Sequence, residues 1–202
     1  DEDLIVGSRT NTYEGCIDIY ENTGAPSSQF VWHSRYRAPY AVNDLRVVDM
    51  MEDDAGDVDI VAGVASGATT GYVLLWLNDG GVFGTLDTSG YTFDSDETPR
   101  WPSDSVDGPG VVLCLSVLHM NQDVFPDIAY GTRSTLTYKG DIYFLPSYGL
   151  LPSAGQKINS STSGEVIAID IADLNKDNGP DIIVGTRTSS TQGKLVAYFY
   201  SD

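Results

Sequence analysis

The segment "DIIVGTRT" at 181–188 indicates the fold, because three similar segments occur elsewhere in the chain. The other copies are "DLIVGSRT" at 3–10, "DIVAGVAS" at 59–66 and "DIAYGTRS" at 127–134. A second unit, which begins with glycine and continues with apolar residues, follows each leading aspartate after 12 or 13 residues, at Gly15, Gly71, Gly140 and Gly193. Four copies in phase indicate an internal structural repeat.

Each repeat has the composition of short β-strands joined by turns. Both units are rich in Ile, Val and Tyr, and Gly, Ser, Thr and Asn bound them. A third strand is predicted at 29–36. A fourth, the most apolar and therefore expected to be the most buried, is predicted at 45–51, 111–118 and 165–174. No segment has a convincing helical pattern.

Antiparallel strands that recur every 54 to 68 residues favour the blades of a β-propeller. We therefore predict an all-β fold of four-stranded antiparallel blades, with about 3.5 blades in one domain over 1–202. The predicted repeats span about 1–44, 45–110, 111–164 and 165–202.

The predicted strands leave the two terminal blades incomplete. With the buried strand called A and the next three B, C and D, the chain reads B-C-D, A-B-C-D, A-B-C-D and A-B-C, or 14 strands. A missing inner strand exposes an apolar edge, which is a liability in a free-standing protein. We expect a larger, seven- or eight-bladed propeller or another chain that completes the blades; a closed four-bladed ring is the alternative.

Charge and cysteine content narrow the class of protein. Acidic residues outnumber basic ones 29 to 11, a net charge of −18, which excludes nucleic acid or an anionic membrane as the main partner. No apolar run is long enough to span a membrane. The acidic surface suits calcium-rich, extracellular surroundings. Cys16 and Cys114 each lie in an apolar run, and we expect two buried free thiols rather than a bridge.

The stretch "DLNKDNGPD" at 173–181 predicts a calcium site. Side-chain oxygens fall at positions 1, 3, 5 and 9 and a backbone carbonyl at 7, from Asp173, Asn175, Asp177, Asp181 and Gly179 respectively. Calcium takes six to eight oxygen ligands and accepts them from a short loop. The alternative is a solvated polar turn, since Asp and Asn are common turn residues.

Two other loops carry a degenerate form of this pattern. In the third repeat, His119, Asn121, Asp123 and Asp127 occupy positions 1, 3, 5 and 9, and the last three are candidate calcium ligands. In the second repeat, "EDDAGDVD" at 52–59 is one residue shorter, and its candidate ligands are Glu52, Asp54, Asp57 and Asp59.

The motif D-x-N-x-D-x-G-x-D followed by "IIVG", with intervening glycine-led apolar strands, resembles the FG-GAP/VCBS repeats of integrin α-subunit-type propellers. The resemblance covers essentially the whole chain. It implies a calcium-stabilised seven- or eight-bladed propeller on a secreted or cell-surface protein, which binds proteins or glycans and is not catalytic. The calcium ligands that it implies are the five residues of 173–181 named above.

We therefore expect a non-enzymatic binding, adhesion or assembly module of an extracellular surface protein, pilus or filament. The alternatives are the propeller portion of a secreted hydrolase or lyase and a glycan-binding lectin. No nucleophile or catalytic-triad signature is present. Trp101, in the long insertion at 90–110, is the candidate ligand-binding aromatic. Arg9, Arg133 and Arg187 recur at one repeat position, where a structural contact is favoured over a ring of ligand-binding arginines.

Overall fold

The computed structural model describes residues 2–11, 14–24, 29–38, 40–50, 58–76, 110–121, 123–133, 138–147, 156–162 and 164–199. Over these ranges the chain is all-β and contains thirteen strands. They form four open antiparallel sheets that follow one another in chain order. None of the described segments is a helix long and apolar enough to cross a membrane.

Three of the sheets contain three strands and one contains four. Sheet 1 consists of β1 (Leu4–Arg9), β2 (Gly15–Asn22) and β3 (Phe30–Ala38). Sheet 2 consists of β4 (Ala41–Val48), β5 (Asp59–Ala65) and β6 (Gly71–Trp76). Sheet 3 consists of β7 (Val111–Leu118), β8 (Asp127–Arg133), β9 (Gly140–Leu145) and β10 (Gln156–Thr162). Sheet 4 consists of β11 (Glu165–Ala172), β12 (Asp181–Arg187) and β13 (Gly193–Tyr198).

These sheets correct the expectation of four-stranded units. Among the described strands only sheet 3 has the full A-B-C-D order. Sheet 1 reads B-C-D and sheet 4 reads A-B-C, as the sequence predicted. The fourth strand expected in sheet 2 falls at 77–109, outside the described residues.

Two of the A strands have different bounds from those predicted. The strand expected at 45–51 begins at Ala41, because Ala41 and Val42 are buried and pair with β5. It ends at Val48, since the N–H of Met50 leaves the sheet to bind the carboxylate of Asp59 at 2.8 Å. The strand expected at 165–174 ends at Ala172 for the same reason, because the N–H of Leu174 binds a carboxylate of the next strand.

The four repeated segments occupy equivalent positions in successive sheets, as predicted. They form β1, β5, β8 and β12, and each pairs antiparallel with the glycine-led strand that follows it. The glycine of each segment lies opposite an apolar residue in the same register, in the pairs Gly7–Ile17, Gly63–Val73, Gly131–Ile142 and Gly185–Leu195.

Consecutive sheets pack face to face through a contact that is repeated three times. In each A strand a β-bulge follows one valine, at Val42, Val112 and Val166. The side chain of that valine lies over the repeat glycine of the preceding sheet, in the pairs Val42–Gly7, Val112–Gly63 and Val166–Gly131. A β-bulge re-aims a side chain, and a glycine leaves room for it. The repeat glycine is therefore a packing position, and we call the contact the valine–glycine contact.

The expectation that the A strands are the most buried is wrong. The B strand is more buried than the A strand in sheets 2, 3 and 4, and β5 is buried along its whole length. A B strand has hydrogen-bonded neighbours on both sides, whereas an A strand lies at the edge of its sheet. The apolar clusters between consecutive sheets form the core.

Both cysteines are buried free thiols, as predicted. Cys114 lies in the cluster between sheets 3 and 4. Burial raises the pKa of its thiol to about 12, so it is inert as a nucleophile at neutral pH.

Candidate metal-binding loops and exposed surface

Loop 4, residues 173–180, joins β11 to β12 and carries the oxygen-rich motif. The carboxylate of Asp173 folds back over the loop. Its Oδ1 accepts hydrogen bonds from the N–H groups of Lys176 and Asp177 at 2.6 and 3.2 Å, and its Oδ2 accepts one from Asn178 at 3.0 Å. Three backbone donors on one carboxylate fix the course of the turn.

Two residues of loop 4 have a left-handed backbone, Lys176 with φ of 64° and Asn178 with φ of 68°. Asparagine adopts this conformation readily, but a lysine does so at a cost. The hydrogen bond to Asp173 holds Lys176 in place. The motif therefore dictates the backbone of its own loop.

The remaining side chains of loop 4 also fold inward. Asn175 Oδ1 accepts the N–H of Asp177 at 2.9 Å, and Asp177 Oδ1 accepts the N–H of Gly179 at 2.8 Å. Asp181, at the start of β12, is fully buried, and its Oδ2 accepts the N–H groups of Leu174 and Asn175 at 2.8 and 3.3 Å. All four predicted side-chain ligands thus lie along one short loop.

Loop 3, residues 119–126, has four of the hydrogen bonds of loop 4 at equivalent positions one repeat earlier. Asp127 Oδ2 accepts the N–H groups of Met120 and Asn121 at 2.7 and 3.1 Å. Asn121 Oδ1 accepts the N–H of Asp123 at 3.1 Å, and Asp123 Oδ1 accepts that of Phe125 at 2.9 Å. The two loops therefore share these four hydrogen bonds, which the common sequence spacing allows.

Loop 3 differs from loop 4 at the first position, where His119 stands in place of Asp173. A hard cation prefers oxygen to imidazole nitrogen. Loop 3 consequently offers fewer suitable donors, and its backbone differs at Val124, which lacks the left-handed conformation of Asn178, the equivalent residue of loop 4.

The leading aspartate of each repeat ties its loop to the sheet. Asp59 accepts the N–H of Met50, and Asp127 accepts the N–H of Ser147 at 2.8 Å in addition to its two bonds from loop 3. Asp3 likewise accepts the N–H of Asn22 at 2.7 Å. Burial raises the pKa of Asp127. The sequence predicted Asp59 and Asp127 as metal ligands, and their role as backbone acceptors was missed.

The strand pairing changes the register of loop 2. Val48 pairs with Asp59, as the last residues of the other A strands pair with Asp127 and Asp181. Loop 2 therefore spans 49–58 and is two residues longer than loops 3 and 4. The sequence motif at 52–59 had instead predicted a loop that is one residue shorter. Asp49 takes the position of Asp173. The candidates Glu52, Asp54 and Asp57 lie outside the described residues.

The donor chemistry of loop 4 fits calcium, because every candidate ligand is an oxygen atom. Asp173 Oδ2 and Asp177 Oδ1 each accept one N–H and keep a second lone pair for a cation, whereas Asp173 Oδ1 and Asp181 Oδ2 each accept two. Within the described ranges, however, no three acidic, histidine or cysteine side chains are grouped closely enough to hold a metal ion. Calcium binding would therefore draw the carboxylates of Asp173, Asp177 and Asp181 closer together than they lie here.

The predicted aromatic Trp101 lies outside the described residues, and Trp32 is one of the exposed aromatic side chains among the residues that the structure describes. Trp32 is 55% exposed on β3, and its indole N–H donates to Asp18 Oδ1 at 3.2 Å. Arg35 donates to both oxygens of Asp18, at 2.7 and 3.0 Å. Its guanidinium holds the pKa of Asp18 below the usual range. The outer face of sheet 1 thus presents an aromatic ring beside an ion pair.

The recurring arginines make structural contacts, as favoured from the sequence. Arg187 Nε lies 2.6 Å from Glu165 Oε1, and a guanidinium nitrogen of Arg133 lies 3.8 Å from Glu165 Oε2. Glu165 is buried, so these contacts compensate its charge between sheets 3 and 4. Arg9 donates to the side chain of Asn43 at 3.2 Å.

An apolar cavity of about 360 Å³ lies beside loops 3 and 4. Met120 and Pro180 border it from the two loops, and Phe144, Ile158 and Tyr198 contribute from the strands. This volume is in the range of small-molecule sites. Its walls favour an apolar group over a charged one.

A scan against protein-family models finds no match for this chain, and a search of curated proteins finds none either. The FG-GAP/VCBS resemblance therefore rests on the motifs of the sequence alone.

Proposed function

We propose that this chain is a non-enzymatic, calcium-stabilised binding and assembly module of the cell exterior, built from the blades of a β-propeller. The observation that carries the proposal is the set of hydrogen bonds that loops 3 and 4 share, at the turn between the A and B strands of two consecutive sheets. A loop design that recurs with its oxygen-bearing side chains supports a role that every repeat needs, such as holding two strands together.

The repeated packing supports the propeller assignment. Three successive sheet pairs use the same valine–glycine contact. The most extensive contacts between sheets join the A and B strands of one sheet to the A strand of the next. Radial repetition of antiparallel sheets is the defining property of a propeller.

Calcium would be held in loop 4 by Asp173, Asn175, Asp177, Asp181 and the carbonyl of Gly179. Its chemistry there would be charge compensation of three carboxylates. Loop 3, with His119 at the first position, would be the weaker site. The ion would stabilise the turn between β11 and β12 rather than activate a substrate.

An extracellular setting agrees with the net charge of −18. Such a surface repels nucleic acid and anionic membranes. A protein or glycan partner would meet the outer face of sheet 1, where Trp32 is exposed beside the Asp18–Arg35 ion pair. Aromatic side chains contribute strongly to binding surfaces of this kind.

The experiment that tests this function applies the purified chain to arrays of immobilised oligosaccharides and extracellular proteins, in calcium and in EGTA. We expect calcium-dependent retention that Trp32→Ala weakens, with no release of cleaved product from the retained ligand. Retention on sugars alone would specify a lectin. Product release that increases with time would overturn the non-enzymatic assignment.

A further inference from the structure

The outer face of sheet 4 repeats a surface that is covered elsewhere in the molecule. Its centre is Gly185, the equivalent of Gly7, Gly63 and Gly131. At the other three glycines a Cβ atom would lie 2.3 to 2.6 Å from a valine of the next sheet. At Gly185 the nearest atom outside its own chain neighbours is Ala168 Cβ, at 3.4 Å in the same sheet.

The residues around Gly185 show the same difference. Leu195, which pairs with Gly185, is 79% exposed, whereas its equivalents Val73 and Ile142 are 1% and 0% exposed. In sheets 2 and 3 this position lies in the apolar clusters against the following sheet. The outer face of sheet 4 therefore has the side chains of an inter-sheet interface.

We propose that Gly185 and its surrounding face dock the inner strand of a further sheet of the same kind. The docking strand has a valine at a β-bulge and a branched aliphatic residue three positions later. The three valine–glycine contacts define this chemistry, because their A strands carry Val42 with Leu45, Val112 with Leu115 and Val166 with Ile169.

A second copy of the described chain does not supply this strand. Its own bulged valines already cover glycines within the chain. The outer face of its sheet 1 has no A strand among the described residues. That face also carries the Asp18–Arg35 ion pair, and the residue of sheet 2 equivalent to Asp18 is the buried Leu74. Docking that face against Leu195 would remove the ion pair from water without providing the valine.

This inference deepens the proposed function, because it names the surface and the partner strand through which the module assembles. It does not depend on calcium. If calcium does not raise the Tm but docking at Gly185 is observed, the docking surface is supported and the stabilising role of the ion is refuted.

The test uses the full chain extended at its C-terminus, through a flexible Gly/Ser linker, by a second copy of residues 110–199. The appended sheet 3 presents Val112 and Leu115 to the Gly185 face. Hydrogen exchange of β12 and β13 is compared with that of the unextended chain. We expect at least tenfold slower exchange in the extended protein. Gly185→Leu, or Val112→Asp in the appended copy alone, should restore the original rate.

The unextended chain with Gly185→Leu is the folding control, because space is open at that glycine. It should unfold at a temperature close to that of the unchanged chain. Exchange that is not slowed in the extended protein, or that stays slow in both variants, would overturn the proposal. So would a dimer of the unextended chain that Gly185→Leu dissociates, since a second copy would then be the occupant.

Discussion

Replacing the repeat glycines with alanine tests the packing of the sheets at two matched positions. At Gly131 the new Cβ would lie 2.3 Å from Val166 Cγ1, 2.6 Å from Val166 Cβ and 2.8 Å from Cys114 Sγ. Real Cβ atoms do not approach so closely, so sheet 4 must shift away from sheet 3. At Gly185 the new Cβ would make one ordinary contact with Ala168 at 3.4 Å.

The magnitude follows from two opposing effects. Overpacking a close-packed interior costs about 1–3 kcal/mol, whereas alanine in place of glycine in a strand stabilises by about 0.5–1 kcal/mol. Gly131→Ala should therefore lower the free energy of unfolding by about 1–2 kcal/mol. Gly185→Ala should raise it by up to about 1 kcal/mol, because it gains the second effect without the first.

Thermal and urea unfolding of the two variants measure this difference. For a protein of this size, 1 kcal/mol corresponds to about 2–4 °C in Tm, so the two variants, which differ by about 1–3 kcal/mol, should melt roughly 2–12 °C apart. Equal melting temperatures for Gly131→Ala and Gly185→Ala would refute the valine–glycine contact as the element that joins the sheets.

Two further predictions concern titratable groups. The pKa of Asp18 lies below its usual value of 3.8 because Arg35 binds the carboxylate, so the stabilisation is present above pH 3.8 and is lost as the pH falls through the folded-state pKa. Unfolding free energies of wild type and Asp18→Asn should accordingly differ at pH 7 and converge below pH 3.8; a constant difference would contradict this. Burial raises the pKa of Cys114 to about 12. In the Cys16→Ser variant, which has no other thiol, Cys114 should therefore react with a thiol reagent at pH 8 only when denaturant is added. Rapid reaction of the folded protein would show that Cys114 is accessible.

The sequence predicted the strands well because the same local pattern of residues occurs in four repeats. Its period locates the glycine-led strands, and β-branched residues between turn formers identify them as strands. The segment at 111–118 matches β7 at both ends. In contrast, the start of β4 at Ala41 was missed. The polar residues Asn43 and Asp44 interrupt the apolar pattern of the strand, although Ala41 and Val42 before them still pair with β5.

Burial and the roles of single residues were less accessible from the sequence. The predicted A-B-C-D order placed the A strands at one edge of each sheet, but their hydrophobicity led to the wrong expectation that they are more buried than the B strands. The packing role of the repeat glycine is not apparent from its local sequence, because the valine that covers it lies 35 to 49 residues further along the chain. Asp127 and Asp181 have the spacing of metal ligands, and the same spacing lets them accept backbone N–H groups. Spacing alone does not separate the two roles.

The most direct test of the central claim is thermal unfolding of wild type and Asp177→Ala, each in calcium and in EGTA. At a calcium concentration one hundred times the dissociation constant, binding stabilises by about 2.7 kcal/mol, or roughly 5–11 °C. Asp170→Ala, an exposed acidic residue of β11 outside loop 4, is the matched control. We predict that calcium raises the Tm of wild type and Asp170→Ala by this amount but leaves that of Asp177→Ala almost unchanged. If wild type melts at the same temperature in calcium and in EGTA, loop 4 is a solvated turn and the calcium-stabilised module is refuted.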